Sequence, residues 1–170
     1  MLRCAGLFYA KGENMDIQSE AEALLVACQM ETGAVKTYTR ALALMERLGR
    51  EKQPLYAHLC AILRDEEGHL AKFRQLAQAC PQQVSPEREL TLTAMAQGTL
   101  FQAGLMGAAR EGFLDSVPAM LQYAANAERT SAERYRAFAR QAQNPQARET
   151  LMQIASEEDR HLTDLEALMK

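Results

Sequence analysis

The chain has 170 residues and a net charge of −3 at pH 7, which is the length of one domain carrying a mild charge. This charge provides no basic footprint for nucleic acid and no polybasic patch for a membrane surface, so both partners are excluded. No apolar stretch approaches the length of a membrane span, and the four cysteines show no Cys-x-x-Cys spacing. We therefore expect a cytoplasmic protein with reduced thiols.

Two long helices joined by a turn are predicted in the first half of the chain. The sequence has only 9 Gly and 5 Pro, which favours helix nearly throughout. Ser19 and Glu22 have the form of a capping box, so the first helix should begin near Ser19, and Gly49 is its natural stop signal. The second helix is predicted to begin at about residue 51 or 54 and to end before Pro81.

Residues 81–115 are predicted to form a long connection between the second and third long helices. Ser85 and Pro86 are an N-cap followed by a first-turn proline, so a short helix to about Gln97 is expected. The part from residue 100 to residue 114 is too apolar for a solvated linker. We expect it to cross the domain or to contact a second subunit, which favours a homodimer.

A second pair of long helices is predicted in the second half. One should start near Ser116, with Pro118 in its first turn, and the other at Asn144 and Pro145. The expected fold is all-α, an antiparallel four-helix bundle. Its predicted organisation is a flexible leader over 1–16, with Met15 as an alternative start, and a bundle domain over 17–170 in which helical hairpins 19–80 and 116–169 flank the crossover 81–115.

The pattern Glu-x-x-His occurs once in each half, as Glu66 with His69 and as Glu158 with His161. Residues three apart lie on one face of a helix, where a carboxylate and an imidazole can hold a metal ion between them. Both pairs continue an apolar stripe of helical spacing. The repetition therefore predicts two related ligand pairs inside the bundle.

Each half also carries one glutamate on the apolar stripe of its other long helix. These are Glu31 and Glu128, and each is followed seven residues later by a tyrosine, Tyr38 or Tyr135. The chain is thus an internal duplication of a helical hairpin. The predicted turn of each hairpin lies midway between its two glutamates, so the four glutamates are expected in one layer at mid-bundle.

Electrostatics predict what such a layer must contain. Four carboxylates on apolar stripes repel one another and lose hydration, which is very costly unless they are protonated or compensated. Two divalent cations supply four positive charges, and the two histidines complete a mixed oxygen and nitrogen set that suits iron or manganese, with zinc as a further option. The alternative is a bundle whose buried polar network holds no metal.

One Glu from each of two helices, with Glu-x-x-His from each of the other two, resembles the ferritin-like di-iron carboxylate proteins over about residues 17–170. The rubrerythrin-like and bacterioferritin-like branches are the most similar. The resemblance implies two iron ions. It implies bridging by Glu66 and Glu158, one ion completed by Glu31 and His69, and the other completed by Glu128 and His161.

The resemblance also implies roles for residues close behind the ligands. Tyr38 and Tyr135 match tyrosines of the family, for which a redox or proton-relay role and an ordinary core role both stay open. Asp65 and Glu157 would orient the opposite histidines. Ser131 is a departure, because rubrerythrins carry an extra ligand glutamate there, and their rubredoxin domain is not found in the sequence.

For function, the resemblance implies a di-iron oxidoreductase that reduces hydrogen peroxide or dioxygen. It would receive electrons from an external donor, such as a rubredoxin-like protein or a flavin reductase. The alternative is a ferroxidase and iron-storage protein, which predicts a large cage and many irons per chain. A metal-binding bundle without turnover is the third interpretation, and the sequence leaves iron, manganese and zinc open.

Overall fold

The structure is a computed structural model that describes residues 16–100 and 116–169, and for residues 97–100 it describes the backbone only. Within these ranges it contains five helices and no strand, which confirms the predicted all-α class. The helices are α1 (Glu20–Arg47), α2 (Pro54–Ala79), α3 (Pro86–Leu100), α4 (Val117–Gln141) and α5 (Pro145–Leu168). The predicted leader, apart from its last residue, and the apolar part of the crossover from which a homodimer was expected lie outside the described residues.

The helix ends follow the capping signals of the sequence. The side-chain oxygens of Ser19, Ser116 and Asn144 each accept a backbone N–H from the first turn of the helix that follows. Gly49 has a φ of 64°, the left-handed conformation in which glycine has no steric penalty, and it lies just beyond α1. These caps fix where the chain turns, and hence which residues of paired helices lie side by side.

Glu22 behaves differently from the predicted capping box. Its carboxylate does not return to Ser19 but accepts the backbone N–H of Gln18 at 2.8 Å and both arms of the Arg88 guanidinium at 2.9 Å. Arg88 also donates to the backbone oxygen of Asp16. This bidentate pair lowers the pKa of Glu22 and attaches the start of α3 to the start of α1.

The four long helices pack as two hairpins. α1 packs on α2 and α4 on α5, while α1 also contacts α4, α2 contacts α5, and α3 lies mainly against α1. This arrangement is consistent with a ferritin-like helical bundle. None of the described helices combines the length and the apolar character that crossing a bilayer requires.

The apolar core is divided into two clusters along the helices. One cluster contains Met30, Phe73 and Ile154, and the other contains Met45 and Leu59, all at most 2% exposed. On each long helix, the glutamate or histidine predicted to bind metal lies between the segments that supply the two clusters. The polar layer is therefore enclosed at both ends by packed side chains, which keep bulk water out.

Candidate metal centre

Six charged or titratable side chains meet in the layer between the two apolar clusters. Each is at most 3% exposed, although such residues are rarely fully buried unless they are paired or bind a metal. They come from all four long helices. The six are Glu31 on α1, Glu66 and His69 on α2, Glu128 on α4, and Glu158 and His161 on α5.

The six residues form two overlapping sets, each able to surround one metal ion. The first set is Glu31, Glu66, His69 and Glu158, and the second is Glu66, Glu128, Glu158 and His161. Within each set, one ligand atom per residue lies within 4.8 Å of all the others. Glu66 and Glu158 belong to both sets, so they occupy the position of carboxylates shared by two ions.

Buried polar atoms in this cluster lack hydrogen bonds. Within the described part of the chain, Glu31 Oε2, Glu66 Oε1, Glu158 Oε1 and His69 Nδ1 have no hydrogen-bond partner. His69 Nδ1 lies 3.3 Å from Glu158 Oε1 and 3.9 Å from Glu31 Oε2, without hydrogen-bond geometry. Unsatisfied buried groups are costly, and cations would satisfy these atoms together. The residues present therefore fit a pair of divalent ions.

His161 makes closer contacts with the carboxylates than His69 does. Its Nδ1 forms a hydrogen bond with Glu158 Oε2 at 3.2 Å and lies 3.1 Å from Glu66 Oε1 and 3.7 Å from Glu128 Oε2. Burial lowers the pKa of His161, but the close approach of these three glutamates outweighs it and raises this pKa above its ordinary value.

Each histidine is also held by a carboxylate of the other hairpin. His69 Nε2 lies 2.6 Å from Glu157, and His161 Nε2 lies 3.1 Å from Asp65. Because an ionised carboxylate can only accept, each Nε2 carries the hydrogen and each Nδ1 faces the cluster. Histidines that bind metal are typically oriented in this way.

Two buried tyrosines connect the hairpins. Tyr38 of α1 donates to Glu128, and Tyr135 of α4 donates to Glu31 Oε1 at 2.6 Å. Burial, followed by the nearby carboxylates, raises the pKa of both tyrosines well above the ordinary value, so both hydroxyls keep their hydrogen. Each bond occupies one oxygen of a glutamate and fixes its orientation.

The four glutamates do not share one ionisation state in this arrangement. Burial, reinforced by neighbouring carboxylates, raises the pKa of Glu31 and Glu158 well above the ordinary value and that of Glu66 to about 8. Burial also acts to raise the pKa of Glu128, but its polar neighbours, first of all His161, lower it on balance. The cluster without cations therefore retains protons, whereas two divalent cations would balance four ionised carboxylates.

Other titratable residues near the six in the sequence lie away from the centre. His58, Glu67 and Glu133 are exposed, and Asp159 pairs with Arg136. Sequence reasoning missed two cationic side chains at the surface, which lie beside the carboxylates that hold the histidines. Lys72 lies 4.0 Å from Glu157 and Arg160 lies 3.6 Å from Asp65. Their positions in the sequence could have indicated these contacts, since Lys72 follows His69 by one helical turn and Arg160 directly precedes His161.

Fold and site together define a helical protein with a buried cluster of glutamates and histidines that could hold metal. Residues 119–170 match the family model described as rubrerythrin, so the resemblance to that ferritin-like di-iron family is confirmed for this part of the chain. The match covers nearly all of α4 and the whole of α5, and thus one glutamate and one Glu-x-x-His pair of the cluster. No curated protein and no solved structure matches the chain.

Proposed function

We propose that the protein is a cytoplasmic di-iron oxidoreductase of the rubrerythrin type that reduces hydrogen peroxide or dioxygen. The observation that supports this most strongly is the pair of overlapping ligand sets sharing Glu66 and Glu158. In the described part of the chain, four unsatisfied atoms converge there, inside a sequence that matches the rubrerythrin family in its second half. A buried network without metal would leave these atoms uncompensated.

The proposed ligands suit iron in both of its oxidation states. Four carboxylates are hard oxygen donors, which stabilise the ferric ion, and the two imidazoles also suit ferrous iron. A pair of ferrous ions held by these residues would supply two electrons, the number that reduces hydrogen peroxide to two water molecules with two protons. An external donor, for which we propose a rubredoxin-like protein or a flavin reductase, would return these electrons.

The remaining residues hold the ligands in place. Tyr38 would fix Glu128, and Tyr135 would fix Glu31. Asp65 and Glu157 would fix the two imidazole rings, so the donor atoms would stay in position when the ions change charge. The apolar clusters on both sides limit access to small molecules such as peroxide and dioxygen.

Iron loading separates this function from its alternatives. The full chain is freed of metal, loaded anaerobically with ferrous iron, and assayed for iron per chain and for the optical change on adding peroxide or air. We expect two irons per chain, fast oxidation by peroxide and slow oxidation by air. Glu66→Gln should abolish stable binding of the pair, whereas Glu67→Gln, which removes the same charge from an exposed neighbouring position, should not.

Iron storage is the second candidate, supported by Ser131 at the position of the extra rubrerythrin ligand. A ferroxidase predicts faster oxidation by air, uptake well beyond two irons per chain, and a large cage in size-exclusion chromatography. That combination would contradict the oxidoreductase. Protein that binds no iron and is indifferent to chelators would contradict both functions.

A further inference from the structure

The two ligand sets differ at their histidines. His69 Nδ1 has no hydrogen-bond partner among the described residues, and neither does Oε2 of Glu31, the other residue that belongs to the first set alone. In contrast, His161 Nδ1 forms a hydrogen bond with Glu158 Oε2 at 3.2 Å. One imidazole therefore presents a free donor atom, whereas the other is already engaged with a carboxylate that both ions would share.

This difference determines what an arriving ion has to displace. At the first set, an ion meets two unpaired atoms that belong to this set alone, His69 Nδ1 and Glu31 Oε2. The hydrogen bonds from Tyr135 to Glu31 and from His69 to Glu157 use other atoms and can remain. At the second set, the ion must first break the bond between His161 and Glu158. Binding at the first set thus satisfies unpaired groups without losing an existing interaction.

The carboxylates that hold the two histidines, Glu157 and Asp65, also differ between the two sets. The Glu157 side chain is 21% exposed, lies 2.6 Å from His69 Nε2 and accepts a further hydrogen bond from Gln153 at 2.9 Å. The Asp65 side chain is 45% exposed and lies 3.1 Å from His161 Nε2. A shorter and more buried contact orients its imidazole more firmly, so His69 is held closer to one geometry than His161 is.

We propose that the two ion positions are inequivalent and fill in a fixed order, first the position of Glu31 and His69 and then the position of Glu128 and His161. This inference rests on the proposed metal-binding function. It assigns Glu157 as the positioning residue of the high-affinity step and Asp65 as the positioning residue of the second step.

Zinc(II) is the probe for the test, because it is redox-inactive and diamagnetic. Chelator-treated full-length protein is titrated with zinc by calorimetry, as wild type and as the matched variants Glu157→Gln and Asp65→Asn. The wild type should show two separate steps of one ion each. Glu157→Gln should weaken the first step by about 10- to 100-fold, and Asp65→Asn should weaken only the second by a similar factor.

A second measurement uses the wild type and does not depend on how the variants fold. The chain has three histidines, so nitrogen NMR of histidine-labelled protein resolves each ring, with exposed His58 as an internal reference. One equivalent of zinc should shift the His69 signals, and the second equivalent should shift those of His161. Simultaneous shifts, the reverse order, or equal effects of the two variants would overturn the fixed order and leave the metal centre intact. Absence of any zinc binding would overturn the proposed function as well.

Discussion

The buried carboxylates predict how the stability of the metal-free protein changes with pH. The pKa of Glu66 is raised from 4.5 to about 8 by burial and by the charges of Glu128 and Glu158. The folded chain therefore binds a proton at Glu66 that the unfolded chain releases, and stability is lost as pH rises through this interval. Glu31, Glu158 and His161 also have raised pKa values and act in the same direction.

The magnitude follows from the Glu66 shift. The slope is at most about 1.4 kcal/mol per pH unit and falls to half at each of the two pKa values, so moving from pH 4.5 to about 8 removes about 4 kcal/mol, of which about 3 kcal/mol is lost by pH 7. This is a large part of the roughly 5–15 kcal/mol by which a domain is stable. The lowered pKa of Glu128 has the opposite effect, but it acts only as the pH falls below 4.5.

Urea unfolding of chelator-treated protein at about pH 5 and about pH 8 measures this loss. We expect a clearly lower midpoint at the higher pH. Glu66→Gln removes one of these titrating groups and should reduce the dependence, whereas Glu67→Gln, at an exposed position, should leave it as in the wild type. Metal-free protein that is equally stable or more stable at about pH 8 would refute the assignment of buried protonated carboxylates.

Three further outcomes are expected. Tyr135→Phe removes the hydrogen bond to Glu31 and should lower the unfolding free energy by about 1–3 kcal/mol, measured with urea, and an unchanged midpoint would contradict the contact. Arg88→Ala removes the bidentate ion pair of Glu22 and should lower the urea midpoint, whereas Arg88→Lys should restore part of the loss and an unchanged midpoint in Arg88→Ala would contradict the contact. Zinc at 100 times its dissociation constant should stabilise the folded protein by about 3 kcal/mol per ion in thermal unfolding, and an unchanged transition would contradict specific binding.

The helix pattern was accessible from the sequence because its signals are local. A capping serine or asparagine, a glycine stop and the apolar spacing each act within a few residues, and the structure places the ends of α1 and α5 at Ser19 and Asn144 accordingly. The layer of glutamates was predictable for a related reason. In a hairpin, equal distance from the turn brings two positions to the same level.

The contact partners of individual side chains were harder to predict from the sequence. Glu22 fits a capping box by spacing, but its carboxylate binds Arg88, which is 66 residues away. No local sequence pattern predicts a contact over that distance. The bonds from Tyr38 to Glu128 and from Tyr135 to Glu31 cross between hairpins for the same reason. Spacing indicates which face a side chain shares, while the packing of distant helices decides what that side chain meets.

Because contacts cross between the hairpins, neither half of the duplicated chain contains a complete set of the residues that could bind metal. Each of the two residue sets that could hold a metal ion draws on both halves, since the first set includes Glu158 and the second includes Glu66. A fragment that ends after α2 would keep three of the six donors and lose the tyrosine that steadies Glu31. If the two halves are expressed separately, neither should bind metal alone, and binding should return only when the two are mixed. Metal binding would then report the association of the two halves.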